Sequence, residues 1–359
     1  LFLIMSCSCQ VQIVKSSLSI LFVKNLSTQQ RRPGEQRLNS GSIVLANILY
    51  DWRKGLMIEN KAKGYINAFA AVFIWSGFIL ISRVGGLSPL TSFDVIAIRY
   101  ATCALILLPI WLAFYRVNIL QPRLIFISII GGLGYASFAF DGLKQAPASH
   151  AAVLLPGLLP IFIAFLSAIV NKEQHNLSKW FGIAVITGGV CILLALEFNE
   201  TGNMGKGHFS LIGAAFCWGL LSVLIARWQI TPWEVTISVA VLTCIIYLPV
   251  YLFALPKNIM NATFEDILIQ AFYQGVMATI VQMIFYVKAV ESIGATGVGA
   301  LMALVPILSG FVAIPLLGEA LNPGLVFSLL LVSGGVWFAN KERVNTKTIG
   351  LLMSSSVSK

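Results

Sequence analysis

Ten unbroken apolar runs, each close to the length of a membrane-crossing helix, dominate this sequence from Tyr65 onward. They lie near Tyr65–Arg83, Phe93–Phe114, Leu124–Leu143, Ser149–Val170, Ser178–Leu196, Phe209–Arg227, Glu234–Phe253, Ile267–Lys288, Thr296–Leu317 and Gly324–Asn340. A bilayer core takes about 20 such residues to cross, and only a backbone bonded within itself survives there. Short alternating strands, the mark of a membrane barrel, are missing from the pattern. Composition agrees. Of 359 residues 58% are hydrophobic and 11% charged, too little charge to coat a soluble protein of this size. The expected fold is an all-α membrane protein with ten transmembrane helices.

A formal net charge of +10 raises the question of nucleic acid, and the placement of that charge answers it. With the first span starting in the cytoplasm, Lys and Arg near the span ends divide eleven to four in favour of the cytoplasmic side. That is a topology signal, so we expect both termini in the cytoplasm and a multi-pass protein of the cytoplasmic (inner) membrane. Membrane lipid is then a partner and nucleic acid is not. The six cysteines form no disulfide or metal framework, and Cys103, Cys191, Cys217 and Cys244 read as small apolar residues within spans. No metal-ligand spacing or cofactor motif is visible.

Residues 1–60 differ in character and read as a disordered N-terminal extension, with "STQQRRPGEQRLNSGS" (Ser27–Ser42) at its centre. Met57 stands just ahead of the first good span. We therefore expect a natural start there, with the upstream part a translated leader; a genuine disordered extension is the alternative. Residues 344–359 read as a cytoplasmic tail.

The spans are also written twice. "VLLPGLLPIFIAFLSAIVNKE" (Val153–Glu173) returns as "GALMALVPILSGFVAIPLLGE" (Gly299–Glu319) at a shift of 146, matching Leu155, Leu158, Pro160, Ile161, Phe165 and Glu173 with Leu301, Leu304, Pro306, Ile307, Phe311 and Glu319. Gly188-Gly189-Val190 matches Gly334-Gly335-Val336 at the same shift, and Pro109 matches Pro249 at 140. Each copy holds five spans, residues 61–200 and 201–343. Five is odd, so the second copy enters the membrane from the opposite side. The expected architecture is two inverted five-helix repeats around a central cavity, the plan of many secondary transporters. Pro160 and Pro306 break corresponding helices and are hinge candidates, with a fixed kink as the alternative. Glu173 and Glu319 close those helices; they read as structural carboxylates, with gating as the other role.

These residues carry a resemblance. Paired Trp75-Ser76 and Trp218-Gly219, "IRYA" (Ile98–Ala101), "LKQAPASHAA" (Leu143–Ala152), the Pro-to-Glu helices and the terminal Gly-Gly-Val motifs are similar to the drug/metabolite transporter superfamily, EamA type. The similarity covers about Gly64 to Asn340. It implies movement of a small metabolite or drug across the cytoplasmic membrane by alternating access, commonly outward, so export is the expected direction. The chain departs from the family at Asn171-Lys172-Glu173, where Leu-Gly-Glu is usual, at Arg99, which has no partner in the second half, and at His150, where a small residue is expected.

Polar side chains inside lipid-length helices are costly and face the bundle interior, so they are the substrate-binding candidates. Arg99 is the most expensive; it would clamp an anionic group, or else snorkel or pair with Asp94 or Asp141. Gln274, Gln282 and Tyr286 share a sector of roughly 120° on the eighth span, as interhelical glue or as cargo contacts. Trp75 and Trp218 sit mid-span in both halves, as a cavity wall or as packing, and Tyr135 is a similar candidate. A wall of rings suits an aromatic, planar or cationic cargo, and Arg99 adds an amino-acid-like one. His150 is either a satisfied polar group or a site of cargo binding or proton linkage. An embedded enzyme would need a nucleophile with its base, or a metal cluster, in the bundle, and no catalytic residue stands out. A channel is the remaining alternative.

Overall fold

The computed structural model describes residues 40–339 except 116, 174, 202–204 and 320–321. Side chains are described from Lys61 onward, apart from 197, 200, 201, 290, 291, 294–297, 299 and 300. The suspected leader up to residue 39 and the tail from 344 thus lie outside the described residues. The chain divides into two units, residues 1–58 and 59–359. Of the first, residues 40–58 are helical, where composition led us to expect disorder. All that follows concerns the second.

Among the described residues every regular element is a helix. α1 is Lys61–Leu87, α2 Ser92–Phe114, α3 Pro122–Gln145, α4 Ala148–Val170, α5 Leu177–Thr201, α6 Lys206–Trp228 and α7 Pro232–Ala254. α8 covers residues 264–302, α9 is Leu304–Leu317 and α10 is Pro323–Ala339. The first eight carry stretches long and apolar enough to cross a bilayer, and α9 and α10 are shorter apolar helices. Large apolar side chains such as Leu105, Phe253 and Phe264 point outward, as expected where lipid is the solvent.

Prolines and caps explain the helix boundaries. Thr91 and Asp94 form a reciprocal capping box at the start of α2, and Thr231 with Glu234 repeats it 140 residues on, at the start of α7. Ala146-Pro147 ends α3 and starts α4, because proline disfavours helical geometry in the residue before it and supplies no amide. The sequence expectation fails at the corresponding place in the second half. We expected a break between spans near Lys288 and Thr296, but the helix Gln282–Met302 is continuous and turns only at Ala303. Ser292-Ile293-Gly294 has no proline to stop it. Pro306 consequently stands in the first turn of α9, where a missing amide does no harm, whereas Pro160 lies deep within α4.

Both third helices are wound more widely over part of their length. A π-helical segment runs through Ser128–Gly134 of α3 and another through Ala271–Val281 of α8. Each packs against the second helix of the other half: the α3 segment on α7, the α8 segment on α2. Glycine makes both approaches possible. A Cβ at Gly132 would sit 1.9 Å from Thr243 Oγ1, and one at Gly275 would sit 2.6 Å from Thr102 Cβ. The fifth helices, α5 and α10, meet along a glycine seam. A Cβ on Gly335 would lie 2.8 Å from the Gly182 carbonyl oxygen, and Ser328 Oγ donates to the Gly189 carbonyl at 2.6 Å.

Candidate functional site

A gap opens where α1, α3 and α4 face α6 and α9. It is lined by Trp75, Phe78, Ile79, Tyr135, Leu155, Pro156, Leu159, Ala215, Trp218 and Val305, residues drawn from both halves. Its empty volume is about 410 Å³, mouth included, but the rings leave a water-sized sphere only about 40 Å³. That is room for a few waters, so any organic solute must displace side chains to enter. The rings form a connected set. Trp75 meets Trp218 edge-on with centroids 5.8 Å apart, Tyr135 lies 4.7 Å from Trp218, and Phe78 stacks on Tyr135 at 6.4 Å.

Arg99 stands one ring behind this wall. Its guanidinium carbon is 5.5 Å from the centre of the Phe78 ring and 5.9 Å from that of Phe140. One guanidinium nitrogen donates to Gln274 Oε1 at 3.3 Å, Gln274 Nε2 donates to Ser82 Oγ at 2.9 Å, and Ser82 Oγ donates to the Phe78 carbonyl. Among the described residues the buried Arg99 Nε has no partner. Neither carboxylate suggested for it by the sequence is available. Asp94 accepts from Thr91 and from Tyr251 Oη at 2.6 Å, and Asp141 accepts from Gln145 and Ser210. Among the described residues Arg99 is therefore a buried cation with no anion beside it. A mid-bilayer Arg costs about 2.5–3.5 kcal/mol on insertion scales, and the rings and one amide offset only part of that.

Pro156 adds backbone polarity to the wall. It has no amide to give the carbonyl of Ala152, and Pro160 likewise leaves the carbonyl of Pro156 without its helical donor. The gap thus combines aromatic faces, one wall of proline-interrupted helix and a nearby cation.

The structure gathers only part of the sequence-derived set here. Trp75, Tyr135 and Trp218 line the gap, and Arg99 and Gln274 bond to one another behind it. Gln282 is buried, and Tyr286 packs in a separate cluster around Ala68, Ala289 and Val298. Phe78, Ser82 and Pro156 were missed. A helical turn separates Phe78 from Trp75 and Ser82 from Phe78, a spacing that reading single residues overlooks.

His150, Glu319 and Glu173 lie outside the gap. Glu319 follows Gly318, whose left-handed backbone (φ 66°) ends α9, and accepts the free amides of Ala148 at 2.6 Å and Ser149 at 2.9 Å. It thus holds the start of α4, in the other half. Glu173 follows Lys172, also left-handed at φ 56°, but is exposed, and among the described residues its carboxylate accepts from Asn171 Nδ2 at 3.3 Å. His150 Nδ1 lies 3.0 Å from Nε2 of His208 on α6.

Residues 62–195 and 205–341 each match the model of the EamA-like transporter family. An uncharacterized transporter of Bacillus subtilis (strain 168), YdfC, is 26% identical over 230 residues, spanning 60% of this chain and 70% of its own. A solved crystal structure, described only as that of a protein, shares the fold. Its TM-score is 0.53 at 22% identity, over 77% of this chain and 96% of its own.

Proposed function

The chain belongs to the EamA-like transporter family, and from that premise we propose that it carries a small amino-acid-like or aromatic solute bearing an anionic group. It is a multi-pass membrane protein, and its activity is transport of small solutes rather than catalysis. The solute's planar body stacks in the gap walled by Trp75, Tyr135 and Trp218, and its donors meet the carbonyls freed by Pro156 and Pro160. Its carboxylate meets Arg99 once Phe78 swings aside. One observation carries this reading: a cation with no anion beside it among the described residues, buried one aromatic ring away from a cavity between the two halves.

Movement follows alternating access. The two inverted halves rock about the gap, with Pro160, Pro306 and the helix-end carboxylates Glu173 and Glu319 at the moving parts. Gln282 and Tyr286 join the pathway in the conformation open to their side. Export across the inner membrane, with both termini in the cytoplasm, is the direction proposed.

The test is counterflow in liposomes holding the full chain, with aromatic amino acids, their amides and their decarboxylated amines as probes. Saturable uptake stimulated by solute on the far side, strongest for the probe with both ring and carboxylate, is the expected result. Equal rates for acid, amide and amine would remove Arg99 from the reading, and ohmic conductance would replace the carrier with a channel.

A further inference from the structure

The first turn of α4 is held to the second half twice. Glu319 holds its free amides, and His150 faces His208 across the interface between α4 and α6. The two rings lie 5.3 Å apart between centres. His208 is 2% exposed, and its other ring nitrogen, Nδ1, is buried with no partner among the described residues. The aromatic gap does not use either histidine.

Proton counting gives the pair a function. Two neutral imidazoles carry one N–H each: one proton lies in the 3.0 Å gap between Nδ1 of His150 and Nε2 of His208, and the other sits on an outer nitrogen. One added proton goes to the remaining outer nitrogen, and the N–H···N bond survives. A second would turn both facing nitrogens into donors at 3.0 Å, and the contact could not persist. The closed contact therefore holds at most one extra proton, whereas two separated rings hold two. In acid, opening takes up a proton and closing releases it.

We infer that the His150–His208 pair is a proton-binding site through which separation of the two halves at this end is coupled to uptake of one proton. The inference rests on the alternating-access reading for its consequence, since the proton then moves with the conformational cycle.

Several charged groups at this end are engaged elsewhere, and His150 itself has a further interaction besides that with His208. Arg83 of α1 donates to the carbonyls of Leu143 and Lys144, and Lys144 of α3 donates to the Leu90 carbonyl. Asp141 of α3 accepts from Ser210 of α6 at 2.6 Å and from Gln145, and Glu319 caps α4. Lys206 of α6 is exposed. α9 and α10 bring no charged side chain, and the side chains of Glu197 and Glu200 at the end of α5 are outside the described set.

The chain contains only three histidines, at 150, 175 and 208, which makes the test direct. The full chain, labelled with ¹⁵N-histidine in nanodiscs, is titrated from about pH 8 to about pH 5, the range in which imidazoles change charge. Spin labels at Leu87 and Lys206, both exposed, report the separation of the halves at this end. The expected result is that His150 and His208 titrate as a coupled pair and that the label distance lengthens over the same range. The double variant His150→Gln/His208→Gln loses the shift, and His175→Gln keeps it. Independent titration of the three rings, an unchanged distance in the wild-type chain, or a shift that survives the double variant would each overturn the proposal. No cargo enters these measurements, so a failure of counterflow does not alter what they show.

Discussion

The start of α4 and its counterpart in the second half are written from one pattern and finished differently. In the first half Pro147 interrupts the chain, α4 begins with free amides, and Glu319 occupies them. In the second half Ile293 stands at the equivalent place, the helix Gln282–Met302 runs through it, and Glu173 is left exposed beside Asn171. The same carboxylate thus reaches across to the other half in one copy and makes only local contacts among the described residues in the other. Whether it fastens the halves together is decided by the helix break opposite it. Under the alternating access proposed above, that contrast would correspond to one end fastened and the other released.

A proline inside a helix costs about 3 kcal/mol or more, and Val287→Pro in α8 should show that loss in thermal unfolding. Ile293→Pro should lose distinctly less, because it supplies a break that Glu173 can cap; equal losses would end the comparison. The halves also differ at Arg99, whose counterpart is Val239. Arg99→Gln should lower counterflow of carboxylate probes about 10- to 100-fold, since a charged hydrogen bond contributes about 1.5–3 kcal/mol. Val239→Ala should stay near wild type.

The glycine contacts give a finer contrast. Gly132→Ala and Gly275→Ala should each lower stability by about 1–3 kcal/mol through overpacking. Thr243→Ala should rescue the first, because it removes the oxygen that clashes and leaves Cβ 3.1 Å away. Thr102→Ala should fail to rescue the second, where the clash is with Cβ itself. Removing the cap with Glu319→Ala should destabilise by about 1 kcal/mol, and Glu173→Ala by less than about 0.5 kcal/mol. Of opposite sign, Lys172→Gly should raise stability by up to about 1 kcal/mol, because a left-handed backbone penalises a side chain that Gly318 lacks. Unfolding in detergent monitored by tryptophan fluorescence reads all of these.

How much could be read beforehand follows from the physics of each feature. The spans were legible because lipid demands length and apolarity, both local properties. The repeated capping boxes were legible in principle, since Thr-x-x-Asp and Thr-x-x-Glu stand 140 residues apart. Trp75 and Trp218 announced themselves by symmetry, and they do meet. The break at Ala303 was not legible, because it depends on the absence of a proline ten residues earlier and on the packing around it. His208 escaped because its partner is 58 residues away. Phe78 escaped because a phenylalanine in an apolar helix carries no mark of the cation behind it.

The glycine seam of α5 and α10 constrains how the halves would turn in the proposed cycle. With no side chains to slide or change rotamer between Gly182 and Gly335, the two backbones are geared tooth to tooth. Such a joint tolerates a tilt but not a translation. It should therefore serve as the stationary spine of a book whose covers swing, with the aromatic gap as the fold between the pages.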